Sequence, residues 1–227
     1  MRPRWSIMRP ARFSRQLEAT SIRSRRLLFK ELAKQFVLLV GVSLAITVLC
    51  SADEHSSSQL PVVDLTGRQV DPLRATDAKA IVLLFIRTDC PISNRYAPEV
   101  RRLHDKFAQS GVTFWLVYAD PSESAEIISQ HIKEYRYTVD ALRDPQHALV
   151  RTTGVQVTPE AAVFMPAGNG PRMVYRGRID DLFVALGKTR TAPTTHDLEA
   201  VLESILKGEP ITVKTTSAIG CFISDLR

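Results

Sequence analysis

Two cysteines, Cys90 and Cys221, and the residues beside the first of them offer this chain's clearest chemistry. Cys90 lies four residues beyond the end of an unbroken apolar run over residues 81–86 and is followed by Pro91, Ile92 and Ser93. A short run rich in β-branched and aromatic residues predicts a centrally buried strand. Beyond it Tyr96, Val100, Leu103 and Phe107 recur at i, i+4, i+7 and i+11, which is one face of a helix. Pro91 suits the first helical position, where its missing N–H is no loss, and that makes Cys90 the N-cap. A sulfur there faces the unpaired N–H groups of the first turn and the positive end of the helix dipole, so thiolate is favoured over thiol. The thiolate is the nucleophilic form. The alternative is a half-buried structural cysteine behind a strand. Ser93 either donates a hydrogen bond to the thiolate or is an ordinary first-turn residue. Asp89 acts against the thiolate, because a neighbouring carboxylate disfavours negative sulfur.

Three features taken in order then make the chain recognisable. Cys90-Pro91-Ile92-Ser93 resembles the Cys-x-x-Cys loop of thioredoxin-like proteins, with serine in the second cysteine position. Pro98 lies eight residues after Cys90, where the active-site helix of those proteins has its kink-forming proline. Val157-Thr158-Pro159 is similar to their cis-proline loop and precedes the strand-like Ala161-Ala162-Val163-Phe164. From Leu60 to about Lys207 the chain is similar to the redoxin branch, which holds the peroxiredoxins and exported thiol-disulfide proteins. The resemblance implies a thioredoxin-like three-layer α/β/α sandwich with a central mixed sheet. It also implies that Pro159 is cis and faces Cys90, leaving the backbone of Thr158 free to pair with an extended substrate peptide. Pro91, Ser93, Thr158 and Pro159 are thus the expected substrate-binding residues beside the catalytic pair Cys90 and Cys221. Two departures bear on chemistry. Peroxiredoxins carry Thr or Ser three residues before the peroxide-attacking cysteine, where this chain has Arg87. The buried acid that thioredoxins place six residues before their nucleophile is here Leu84.

In the resemblance a second active-site cysteine resolves the mixed disulfide formed by the first, and Ser93 cannot do so. Cys221, beyond the last predicted helix, is a candidate for that role. The alternatives are a permanent staple, closing a loop of about 130 residues and contributing a few kcal/mol, and a free thiol that reacts with another chain. Sequence does not decide among these. Gly220 beside it suggests a backbone that bends there.

The elements that must hold these residues in place alternate strand and helix, as an α/β sandwich requires. Residues 60–67 open the domain. Residues 112–118 read as a second buried strand, bounded by Gly111 and by Asp120-Pro121. Asp120 is expected to cap the next helix with Glu123 as its capping-box partner, and Ile128, Ile132 and Tyr135 form that helix's buried side. A short strand at 139–142 and a short helix at 145–153 follow, the latter ended by Gly154. Residues 161–165 and 172–176 flank a loop rich in turn formers and predict a hairpin. Leu198, Val201, Leu202, Ile205 and Leu206 form the apolar face of a closing helix, with Thr194 as its expected cap. The run 176–181 reads as a solvated loop with salt bridges, and the five histidines as surface or capping residues without metal-ligand spacing.

Residues 1–34 hold ten Lys or Arg against two acids, whereas the chain after residue 52 has 20 basic and 22 acidic residues. The net charge of +6 is therefore a property of the head, and nucleic-acid binding is rejected. Residues 36–49 form an apolar stretch after that basic region, and Cys50-Ser51-Ala52 offers small residues for cleavage after Ala52. This reads as an export signal with a long basic region, or as an uncleaved membrane anchor over 35–52. Lipidation of Cys50 is the lesser alternative. The expected organisation is a basic head with signal or anchor over 1–52, a linker over 53–59, a domain over 60–208 and a tail over 209–227 carrying Cys221.

These observations lead to an exported thiol-disulfide oxidoreductase without cofactor or metal. Its expected partners are a protein or small-molecule disulfide or peroxide substrate and an external thiol reductant, with membrane contact only through the N-terminal segment. A peroxiredoxin-like peroxidase and a non-catalytic peptide-binding module are the alternatives.

Overall fold

The computed structural model describes residues 61–74, 77–168 and 170–223, so the expectations for the basic head, the signal or anchor, Cys50 and the linker lie outside the described residues. No helix among the described residues is long and apolar enough to cross a membrane. In chain order the elements are β1 (Val63–Asp64), β2 (Ala80–Ile86), α1 (Pro91–Arg95), α2 (Ala97–Phe107), β3 (Val112–Tyr118), α3 (Ala125–Tyr135), β4 (Asp140–Arg143) and α4 (Ala148–Thr153). There follow β5 (Val157–Thr158), β6 (Glu160–Met165), β7 (Arg172–Gly177), β8 (Phe183–Ala185), β9 (Lys188–Thr189), α5 (Asp197–Lys207) and β10 (Cys221–Phe222).

Every residue of β2 is buried, and the strand sits inside a six-stranded sheet of order β1-β4-β3-β2-β6-β7. It runs parallel to β3 and antiparallel to β6, so the sheet is mixed. Alternation along a strand sends successive side chains to opposite faces. Val82, Leu84 and Ile86 accordingly pack with Val100, Leu103 and Phe107 of α2 and with Leu198 and Leu202 of α5. Ile81, Leu83 and Phe85 pack with Leu149 and Val150 of α4 on the other side. Two apolar cores on one sheet give the three layers read from the sequence. β6 and β7 form the expected hairpin, and the short sheets β8–β9 and β5–β10 stand apart from the main one.

The helical face that begins at Tyr96 belongs to two helices. α1 ends at Tyr96, whose φ of −83° and ψ of −5° also start α2. Pro98, in the first turn of α2, has no N–H for the carbonyl four residues back, and its ring crowds that carbonyl. Two expected caps are different residues. Ser124 caps α3, its Oγ accepting the Ile127 N–H, because Asp120 is already occupied by the N–H and hydroxyl of Ser122. Thr194 gives its N–H and hydroxyl to Asp181, so α5 begins after His196 with no side-chain cap.

Candidate functional site

The end of β2 and the start of α1 place Cys90 where the sequence predicts it. Cys90 is the N-cap, with φ −84° and ψ 109°, and the Ser93 N–H donates to its sulfur at 3.4 Å. The residue is only 1 % exposed. The Thr158–Pro159 peptide is cis, and the Thr158 carbonyl oxygen lies 3.1 Å from Cys90 Sγ. Cys221 Sγ lies 2.7 Å from Cys90 Sγ. A disulfide needs about 2.05 Å, so the pair is within a small movement of bonding. Cys90, Ser93, Thr158 and Cys221 are therefore brought together, with Pro91 in the first position of α1. The hydroxyls of Ser93 and Thr158 are buried without a hydrogen-bond partner.

Cys221 arrives on a tail held along its length. The Arg176 N–H donates to the Lys214 carbonyl and the Thr216 N–H to the Arg176 carbonyl, which ties the tail to β7. β10 then pairs antiparallel with β5, setting Cys221 opposite Thr158 and Phe222 opposite Val157. The Ile223 N–H donates to the Gln156 carbonyl, and its side chain is buried. The backbone beside the cis-proline, expected to be open to a substrate peptide, thus carries the chain's own tail. Gly220 is explained by close approach and not by a bend: its φ is not positive, and a Cβ there would overlap the Thr158 carbonyl.

The two thiols are electrostatically unequal. Burial pushes the Cys90 thiol up, but the hydrogen bonds offered by Cys221 and Ser93 outweigh it, and the net position is below the ordinary thiol value. Cys221 is pushed up to about 12 by burial and by the adjacent Cys90 sulfur. Of the two sulfurs, Cys90 is therefore the one on which negative charge is more favoured. Asp89, expected to oppose the thiolate, is instead paired with Arg87 at 2.7 Å, and Arg87 also reaches Asp120 at 3.1 Å.

Beneath the loop leading to Cys90 runs a polar chain that sequence reasoning missed. Glu123 Oε1 accepts the Thr88 N–H, Asn94 Nδ2 donates to the Thr88 carbonyl, Asn94 Oδ1 meets His131 Nε2, and His131 Nδ1 meets the Tyr118 hydroxyl. Because the Asn94 amide donates to Thr88, its oxygen must accept, so His131 is protonated on Nε2 and accepts from Tyr118 on Nδ1. His131 and His147 are 4 % and 6 % exposed, so neither is a surface residue, although His147 does stand at the N-cap position of α4, without a side-chain cap bond. His131 is buried neutral with both ring nitrogens engaged, and His147 Nε2 meets the Ala119 carbonyl. Glu123 is likewise buried, one oxygen unpartnered, and burial raises its carboxyl above the ordinary value. The only sequence signal for this chain is polar residues at positions facing the core, which spacing alone does not single out.

Burial holds the His131 imidazole down at about 4, against 6.5 for an exposed histidine. Between these values the unfolded chain binds the proton and the folded one does not, so stability is intact above pH 6.5 and is lost progressively as pH falls towards 4. Urea unfolding should show a loss of up to about 3 kcal/mol across that window, and a His131→Gln variant should lack that slope.

The run over 176–181 is not a solvated loop. Ile179, Asp180 and Asp181 are buried. The Tyr96 hydroxyl donates to Asp180 Oδ1 at 2.6 Å, and Arg178 pairs with Asp197 at 2.8 Å, fastening α1–α2 and the start of α5 to the end of β7. Among the described residues Glu99, Asp180 and His196 bring potential ligand atoms within 4.8 Å. Both Glu99 oxygens hold Arg102 and Asp180 Oδ1 holds Tyr96, so this cluster is accounted for by protein contacts.

The model of the family described as AhpC/TSA matches residues 52–170. No curated protein matches the chain. Among solved structures, a hypothetical protein from Sinorhizobium meliloti 1021 is 24% identical with a TM-score of 0.61, covering 71% of this chain and 88% of that one. An uncharacterized conserved protein from Geobacillus kaustophilus is 25% identical with a TM-score of 0.60, covering 73% and 89%. A secreted disulfide oxidoreductase of Mycobacterium tuberculosis is 17% identical with a TM-score of 0.42, covering 67% and 99%.

Proposed function

We propose that this chain, which belongs to the AhpC/TSA family and has a thioredoxin-like redoxin domain, is an exported thiol-disulfide oxidoreductase cycling between a Cys90/Cys221 dithiol and disulfide. The observation that carries this reading is the 2.7 Å approach of Cys221 to a buried sulfur at a helix N-cap. Cys90 is the nucleophile, since the negative charge is favoured there, and Cys221 is its partner in the bond that closes. Closure oxidises the two thiols by two electrons, taken up by a disulfide substrate that leaves as two thiols. An external thiol reductant reverses it. Ser93 and Thr158 flank the Cys90 sulfur, Pro91 begins α1 beside it, and the cis Pro159 follows Thr158. Export rests on the apolar stretch 36–49 behind a basic head.

The peroxidase alternative has weaker support. Arg87 stands where the peroxide-attacking motif has Thr or Ser, and its guanidinium is engaged by Asp89 and Asp120.

The test is a non-reducing peptide map of the purified protein before and after limited dithiothreitol, with Cys90 alkylation followed against pH. A Cys90–Cys221 peptide that opens readily, releasing a thiol that titrates below the ordinary value of about 8.5, is the expected result. A bond that resists reduction, or ordinary thiol reactivity, would leave Cys221 as a staple and the domain as a binding module.

A further inference from the structure

We infer that Asn94, His131 and Glu123 act as positioning residues for Cys90, by clamping the Thr88 peptide on both sides and so fixing the start of α1 against the end of β2. This deepens the proposed two-cysteine function and rests on it. The three side chains do not bond the sulfur, whose contacts are Ser93, Thr158 and Cys221. They act one step behind it. α1 spans only Pro91–Arg95 and breaks at Tyr96, and a helix that short has little stability of its own. Its direction is therefore set by what fastens it. The pairing of β2 with β3 stops at Ile86 and Tyr118, which leaves residues 87–89, between strand and cap, outside the sheet. Thr88 stands in the middle of them. Its N–H is taken by Glu123 Oε1 at 2.6 Å and its carbonyl by Asn94 Nδ2 at 3.0 Å. Asn94 also gives its backbone N–H to the Cys90 carbonyl at 3.0 Å, so one residue of α1 closes the turn that contains the cysteine. Behind it, Asn94 Oδ1 accepts from His131 Nε2 at 2.8 Å, and His131 Nδ1 accepts from the Tyr118 hydroxyl at 2.9 Å. The imidazole is wedged among Tyr118, Tyr135 and Tyr137, with ring centroids at 5.8, 4.7 and 5.7 Å. The clamp thus refers α1 to α3 and to the end of β3.

The sulfur depends on that setting because the influences on its charge oppose one another. Burial raises the Cys90 thiol, and the hydrogen bonds from Cys221 and Ser93 bring it back below the ordinary value. The Ser93 contact is already 3.4 Å long, and the hold of a helix terminus on a charge falls off within the first turn. A tilt of α1 that lengthens this contact leaves burial in command, and Cys90 becomes an inert core thiol. The rate at which Cys90 attacks a disulfide follows its thiolate fraction, so the clamp acts on turnover through the cap. Glu123 serves here by its oxygen, as the acceptor of the Thr88 N–H. His131 serves by the N–H that holds the Asn94 oxygen and so turns the Asn94 amide nitrogen towards Thr88.

The experiment uses the reduced full chain. Ionisation of Cys90 is followed by the ultraviolet absorbance of the thiolate against pH, with the Cys90→Ser chain subtracted, so that access to the sulfur beneath the tail does not enter. Urea unfolding midpoints are measured on the same preparations. Asn94→Ala and His131→Leu should each raise the Cys90 midpoint by about one pH unit, which is about a 10-fold loss of thiolate at pH values below it. Two conservative variants should keep the parental midpoint: Glu123→Gln, which retains an acceptor for the Thr88 N–H, and His131→Gln, whose amide can donate to Asn94 Oδ1. Lower stability with an unchanged Cys90 titration in both Asn94→Ala and His131→Leu would make the polar chain a core element without a positioning role, and overturns this inference alone. A midpoint raised as far in His131→Gln as in His131→Leu overturns it too. A parent chain whose Cys90 ionises at the ordinary thiol value overturns the two-cysteine function itself. Should His131→Leu fail to fold, Asn94→Ala decides the matter, since Asn94 is only half-buried and alanine suits a helix.

Discussion

Cys90→Ser should lower disulfide exchange by at least about 1,000-fold while leaving the fold intact. The oxygen that replaces the sulfur neither forms the bond to Cys221 nor ionises near neutral pH. Cys221 alone does not substitute for it: a thiol held at about 12 is thiolate to only about one part in 100,000 at pH 7, and even partial relaxation of that value once Cys90 is gone leaves a poor nucleophile. Loss of folding is a separate matter. Serine is among the preferred N-cap residues and its hydroxyl can accept the Ser93 N–H that now reaches the sulfur. The reduced variant should therefore unfold in urea at a midpoint equal to or above that of the reduced parent. Turnover of a model protein disulfide and the unfolding midpoint, measured on the same preparation, separate the two effects. Retained exchange would mean that Cys90 is a structural cysteine.

How far the site could be read in advance depended on how local its causes are. The N-cap position of Cys90 follows from an apolar run, a proline and a helical period, all lying within residues 81–107. The break at Tyr96 follows from Pro98 in the same way. The cis peptide at Pro159 was not legible in the dipeptide and came only from resemblance. Caps were misassigned where a competing partner lay elsewhere: Asp181, thirteen residues before Thr194, claims that threonine, and no local pattern records this. His131 looked like a surface residue because its burial depends on Asn94 and Tyr118 arriving from α1 and β3. The tail was the largest gap. Its register on β5 is set by contacts between residues 214–223 and residues 156–176, and Gly220, which by itself suggests a bend, serves to admit the Thr158 carbonyl.

That contact supports the second strong expectation, for Gly220→Ala. The added methyl would meet the carbonyl oxygen and carbon of Thr158, which are backbone atoms of β5 and cannot swing aside as a flexible side chain would. The strand carrying Cys221 must then lift from β5. A docked pair of reacting groups can have an effective concentration many orders of magnitude above that of groups joined only by a flexible tether, which is about millimolar. Closure of the Cys90–Cys221 bond should consequently slow by about 100-fold or more. Cys90 alkylation should at the same time become faster, because the cover over it has gone. The stability cost should be limited to the lost burial of Ile223, about 1.5–3 kcal/mol, since neither β2 nor α2 is touched. Closure is followed by quenching the reduced variant at intervals during oxidation and mapping its disulfide. An unchanged closing rate with unchanged Cys90 protection would show that β10 does not position Cys221, and the pairing with β5 would lose its functional meaning. A slowed closure with exposed Cys90 would make the tail both the carrier of the second sulfur and the cover of the first, a cover that stays in place while both thiols are free, since β10 is paired with β5 in that state.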